Sequence, residues 1–137
     1  MKTTLVPKEH VKKVWNSIEK FAEGCAKYTY GRFTADDILD ELLTKDQQLW
    51  TAFDKDGIHA FWVTEVIKYP QTKVLVMHFT GGNRIEEWQT IGLKQLQKFA
   101  RDTGCTKIES YGRPGWEKVW KHEGYKKRFV FYELPVE

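Results

Sequence analysis

The stretch from Lys73 to Tyr111 constrains the fold more than any other. Val74-Leu75-Val76-Met77-His78-Phe79 is a nearly unbroken apolar run, the pattern of a strand buried on both faces and therefore central in its sheet. Thr80-Gly81-Gly82-Asn83 reads as a tight loop after Lys73–Phe79. A long helix is expected over Arg84–Asp102, with Ile85, Trp88, Leu93, Leu96, Phe99 and Ala100 forming most of its apolar side and Gly104 ending it. Thr106–Tyr111 then alternates as another strand. Strand, helix and strand in this order make a parallel pair with a right-handed crossover. The loop also brings free N–H groups and the positive end of a helix dipole to one place, a ready site for an anion.

The flanking segments fill in the rest. Thr3–Val6 reads as extended, and Pro7 suits the first position of a helix. Val11, Val14, Trp15, Ile18, Phe21 and Ala22 share a helical stripe that Gly24 is expected to end. Thr34 has the chemistry of an N-cap, with Asp36 and Asp37 in the first turn and Ile38, Leu39, Leu42 and Leu43 as the buried face. Gln48–Phe53 and His59–Tyr69 read as strands joined by the hairpin turn Asp54-Lys55-Asp56-Gly57. Gly112-Arg113-Pro114-Gly115 introduces a short helix with Trp116, Val119 and Trp120, and Phe129–Leu134 is expected as a final strand. The order β-α-α-β-β-β-α-β-α-β is an α/β (α+β) plan with a mixed central sheet, antiparallel first and parallel at the crossover. With no repeat or linker in between, residues 1–137 read as a single domain.

Composition removes several function classes. Hydrophobic residues at 41% and charged residues at 30% exclude wholesale disorder. No run approaches the ~20 apolar residues of a membrane span. The N-terminus has no apolar signal core, and the two cysteines fit a reducing compartment, so the expected location is the cytoplasm. Four histidines and two cysteines lack the short spacings of zinc sites, so no metal is expected. The acidic segment Thr34–Asp56 and the basic segment Arg113–Arg128 read as solvated faces, the basic one alternatively as a flank for a polyanion or phosphorylated cofactor, and nothing resembles a base-reading nucleic-acid motif. Trp50 and Trp62 read as a pair across the hairpin, either a substrate wall or core, with at least one of them in the core.

Over essentially the whole chain, this order and spacing resembles the GCN5-related N-acetyltransferase (GNAT) superfamily. The matching pieces are Val74–Phe79, the loop Thr80–Arg84, the helix with Leu93, Leu96, Ala100 and Gly104, and the later helix that ends in Gly124-Tyr125. More narrowly, Gly81-Gly82…Trp88 with Tyr111-Gly112-Arg113-Pro114-Gly115-Trp116-Glu117…Gly124-Tyr125 resembles a subset of bacteriophage-encoded members. The resemblance implies an acetyl-CoA-dependent N-acetyltransferase in which the amine attacks directly, without an acyl-enzyme. It implies that the backbone of Met77, His78 and Phe79 pairs with the pantetheine arm, and that Gly81, Gly82, Asn83 and Arg84 hold the pyrophosphate.

Transfer of an acyl group to an amine needs a base for the amine and an acid for the departing thiolate. Glu65 and His78 are the candidates for the base, Glu109 lies beside the expected gap, and Tyr111 is the candidate acid. The implied substrate is a small-molecule or peptide amine. Neither membrane nor nucleic acid is expected as a partner, and a homodimer is compatible. Two positions depart from the family pattern: Glu86-Glu87 follows the loop, and Trp120 stands where many members place an acidic Tyr. The alternative implied by those departures is a GNAT-fold binding or structural protein without catalysis.

Overall fold

The computed structural model covers residues 1–137. Its five strands are β1 (Lys2–Val6), β2 (Gln47–Asp54), β3 (Gly57–Lys68), β4 (Lys73–Gly82) and β5 (Lys107–Ser110), adjacent in that order in one sheet. All neighbours run antiparallel except β4 and β5, which are parallel. Helices α1 (Val11–Ala26) and α2 (Ala35–Thr44) lie between β1 and β2 in the chain, α3 (Ile85–Asp102) makes the crossover, and α4 (Glu117–His122) follows β5. No helix is long and apolar enough to cross a membrane.

Local chemistry explains the elements. At α2, Thr34 accepts from the Asp37 amide at 3.2 Å while Asp37 accepts from the Thr34 amide at 2.9 Å, a closed capping box. The helix α1 runs through Gly24 to Ala26, slightly beyond the expected stop. The sheet separates two cores. On one face Trp15, Ile18, Ala22, Ile38 and Leu42 pack on Leu49, Phe61, Val63 and Phe79. On the other, Trp88, Leu96 and Ala100 of α3 pack on Trp50, Trp62, Leu75 and Met77. Trp50 and Trp62 are thus both core residues; Trp50 donates to Thr64 Oγ1 at 2.9 Å and Trp62 stacks on Trp88 at 4.9 Å.

Met77 and Phe79 are two residues apart yet belong to opposite cores, which regular pleating forbids. A β-bulge resolves the conflict. Val63 pairs with Phe79 and Thr64 with Met77, so His78 is an extra residue without a partner on β3. A second register shift makes His59 the extra residue of β3, between Ala60 opposite Ala52 and Ile58 opposite Phe53.

Two sequence expectations need correction. Gly81 and Gly82 belong to β4, opposite Phe61 and Ala60, and the loop to α3 shrinks to Asn83 and Arg84. These glycines serve close packing. A Cβ on Gly81 would lie 2.9 Å from the Phe21 carbonyl oxygen, and one on Gly82, at φ +130°, 2.4 Å from that of His59. Secondly, Phe129–Leu134 forms no strand and stays exposed, because no neighbouring strand receives it.

Candidate active site

The parallel ladder starts at Val74 opposite Lys107 and ends at Met77 opposite Ser110. The bulge at His78 follows at once, and from there to Gly82 the only strand beside β4 is β3. The strands part at this point, leaving one edge of the β4 backbone open. On the α3 side of the parting, Met77, Thr80, Trp88, Trp116, Trp120 and Tyr125 line a cavity of about 50 Å³. The end of the Trp120 ring abuts Gly112, where a Cβ would come within 2.3 Å of it, and Trp120 stacks on Trp116 at 5.8 Å. The buried Trp62 Nε1 and Gln89 Oε1, one donor and one acceptor, have no hydrogen-bond partner, and both residues line the same cavity. Tyr125 brings its hydroxyl to 3.4 Å from Ser110 Oγ, the last residue of β5. Burial pushes the Tyr125 phenol up, so it keeps its proton at neutral pH.

The opposite face of the sheet carries the groups expected to move protons. His78 Nε2 lies 2.8 Å from Glu65 Oε1. The same carboxylate oxygen accepts from Gln47 Nε2 at 3.2 Å, which also donates to Glu41 of α2 at 3.3 Å. Glu65 is opposite Val76 and Val76 is opposite Glu109, so register puts the two carboxylates in one row on one face. Tyr111 follows two residues later, 65% exposed. Partial burial, then Tyr69 and Glu109, raise its phenol. Beyond it, the Arg113 guanidinium sits 3.8 Å over the Tyr28 ring and ties the end of β5 to the segment after α1. Burial raises the nearby Cys25 thiol, opposed by the Thr80 amide and the Arg113 charge.

The N-terminal end of α3 is built differently from a plain anion cradle. Arg84, the N-cap residue, adopts left-handed φ 59°, ψ 40° and offers no side-chain cap. Its guanidinium donates to Glu87 Oε1 at 2.7 Å and to Asp54 Oδ2 at 3.2 Å. Asp54 Oδ1 is 2.7 Å from His59 Nε2. His59 Nε2 donates that proton, so its 3.2 Å approach to Arg84 Nη1 is a contact between two donors. The His59 hydrogen bond, the Asp56 amide and the Arg84 charge together hold the Asp54 carboxyl down at about 2. Arg84 likewise holds Glu87 below the usual carboxylate range, and Glu87 raises Arg84. The Trp88 indole donates to the Asn83 carbonyl at 2.8 Å and fixes the turn.

The sequence-derived residues therefore fall into two groups. Glu65 and His78 touch, and Glu109 and Tyr111 share their face. Met77, His78, Phe79, Gly81 and Gly82 line β4, whereas Asn83 and Arg84 make the turn. Gln47, Tyr125 and Gln89 were not singled out as site residues. Their signals are contacts between distant parts of the chain, which spacing does not reveal.

No family model matches the sequence, and no curated protein matches it significantly. Solved structures do match in shape. One, described as a probable acetyltransferase, superposes with TM-score 0.73 at 16% identity, covering 100% of this chain and 99% of that one. An aminoglycoside N-acetyltransferase in complex with CoA gives 0.68 at 16% identity, over 98% and 95% of the two chains. The fold is that of the GNAT acetyltransferases. A further GNAT-fold neighbour is an aminoglycoside acetyltransferase from an uncultured soil metagenomic sample in complex with sisomicin, at TM-score 0.68, 10% identity and 99% and 96% coverage. At these identities the likeness establishes the GNAT fold for this chain, and chemistry has to be argued from its own residues.

Proposed function

We propose that this protein is an acetyl-CoA-dependent N-acetyltransferase acting on a small-molecule or peptide amine. The observation that carries the reading is the bulge at His78. The extra residue directly follows the last β4–β5 pair, and it is a histidine 2.8 Å from Glu65 beside the opening.

The chain's groups fit an extended thioester ligand. The open β4 edge offers backbone hydrogen bonds to an amide-bearing arm, while Trp62 Nε1 and Gln89 Oε1 are a buried donor and acceptor awaiting partners. The amides of Ile85 and Glu86 at the start of α3 are free for phosphate oxygens, with Asn83 and Arg84 beside them. Acetyl-CoA would supply the activated acyl group as a thioester. With Nε2–H given to Glu65, His78 keeps a lone pair on Nδ1 that takes the proton from the attacking amine. Gln47 holds Glu65 in place during this transfer. The departing sulfur is protonated from a phenol: Tyr125 at the parting strands, or the expected Tyr111 from the other face. Acyl and proton transfers then balance, since the amine loses one proton and the thiolate gains one. The free thiols of Cys25 and Cys105 suit a cytoplasmic setting. The narrower likeness to bacteriophage-encoded members rests on the sequence pattern alone.

A second reading is favoured by one specific observation. Arg84 is already engaged by Glu87 and Asp54, as it would be in a protein that keeps the fold for binding alone. Release of free CoA thiol across a panel of amines separates the two. The enzyme reading expects turnover in the wild type and a loss of roughly 10²–10⁴ in rate for His78→Ala, with acetyl-CoA binding retained. Tight acetyl-CoA binding without turnover on any amine would favour the second reading.

A further inference from the structure

We propose that the acceptor is a diamine: one amine reacts at His78 while the second, protonated, is held by Glu109 beside Tyr69 and Tyr111. The role of acceptor rests on the catalytic reading above, whereas the site for the second ammonium rests on the arrangement of side chains around Glu109.

One row on the α1–α2 side of the sheet is rich in acceptors and short of donors. Register aligns Gln47, Glu65, Val76 and Glu109 across four neighbouring strands. Three carboxylates border the row, those of Glu41, Glu65 and Glu109. Two of them are supplied, since Lys45 lies 2.7 Å from Glu41 and His78 lies 2.8 Å from Glu65. Gln47 Nε2 donates to both of these carboxylates. Its Oε1 is buried with no hydrogen-bond partner, in a residue only 6% exposed. Glu109 is half-buried, and no Lys, Arg or His pairs with it. Lys107, two residues earlier on the same strand, is exposed and pairs with no carboxylate. Desolvating a carboxylate is costly, and a bound cation offsets that cost through charge-assisted hydrogen bonds.

The surroundings select an ammonium at a set distance. Tyr69 and Glu109 both act on the Tyr111 phenol, so the three side chains lie together at the end of the row. Both rings are exposed, and aromatic faces beside a carboxylate suit an ammonium. Val76 is the residue opposite Glu109, and His78 is two residues further along β4. The backbones that carry His78 and Glu109 are thus separated by about 7 Å along the strand and about 5 Å across it. Two side chains reaching inward leave a gap that a short α,ω-diamine spans, with roughly four carbons between its nitrogens. A monoamine leaves Glu109 without a partner.

Calorimetric titration of the full chain with butanediamine and with butylamine, which differ by one ammonium, tests the proposal. It is run without cofactor and again with CoA, which carries no acyl group. The diamine should bind roughly tenfold or more tightly than the monoamine. Glu109→Gln should bring the two to equal affinity with unchanged circular dichroism, and Glu109→Asp should keep part of the preference. Equal affinities in the wild type, or no binding of either amine, would overturn the proposal. So would a diamine preference that Glu109→Gln leaves intact. Release of CoA thiol from acetyl-CoA separates this inference from the reading it rests on. A diamine held through Glu109 but never acetylated keeps the ammonium site and overturns the catalytic reading, and with it the role of acceptor.

Discussion

His78 and Glu65 meet at 2.8 Å at the point where β4 contains one residue more than β3 opposite it. Bulges re-aim side chains and increase local twist, and this one sits one residue past the last β4–β5 pair. His59 repeats the device, as the extra residue of its own strand, 2.7 Å from Asp54. The two histidine–carboxylate contacts thus share a setting at a bulge but have different neighbours. Glu65 is shared with Gln47, whereas Asp54 is shared with Arg84.

Glu65→Gln keeps the side-chain size and removes the charge that orients His78. Turnover is expected to fall by roughly 10- to 100-fold, with the KM for acetyl-CoA changed less than about twofold, because the pair acts on the amine. Steady-state kinetics with a responsive amine would show this split. Equal loss in affinity and turnover would place Glu65 outside the proton path.

Glu87→Gln weakens the hold on Arg84 and leaves Asp54 as its remaining carboxylate. Solvent screens this exposed pair, so CoA affinity should rise by no more than about fivefold. Arg84→Ala should lower it. If calorimetry finds neither change, Arg84 has no part in binding the phosphates.

Acid should loosen the hairpin end of the sheet first. Asp54 has a folded value of about 2 against an ordinary 3.8, so its carboxylate stabilises the fold above about pH 4 and loses that effect as pH falls toward 2. Asp54→Asn should therefore melt below the wild type at pH 5, with the gap closing between pH 4 and 2. A constant gap across that range, measured by thermal melts, would contradict the assignment.

Glycine substitutions should report packing before they report ligand binding. Gly112→Ala drives a methyl into the Trp120 ring, at a cost of about 1–3 kcal/mol, visible as a lower Tm and altered tryptophan fluorescence. Gly82→Ala combines positive φ with a 2.4 Å approach to backbone and should destabilise at least as much. An unchanged Tm for Gly82→Ala would show that β4 ends before Gly82.

Most elements were legible because their signals are local. Thr34 with Asp37 closes the capping box, Asp54–Gly57 makes the hairpin, and the stripe from Val11 to Ala22 buries one side of α1. Gly81-Gly82 was misread because a glycine pair before a helix has the composition of a loop. Here it answers to Phe21 and Ala60, both more than twenty residues earlier in the chain. Phe129–Leu134 has strand propensity, but a strand needs an edge to join, and propensity does not supply one. Glu65 and His78 were recognisable as chemically able residues. Alternation from Val76 already places His78 on the Glu65 face, whereas Phe79 reaches that face only through the one-residue register shift, which no local pattern announces.

The most direct measurement is a calorimetric titration of the purified protein with acetyl-CoA at near-physiological salt, repeated with Arg84→Ala. Micromolar binding, weakened in the variant, is the result predicted for a working acyl-donor site between β4, β5 and α3. No heat of binding up to millimolar acetyl-CoA would contradict it and leave the fold as a scaffold for another partner.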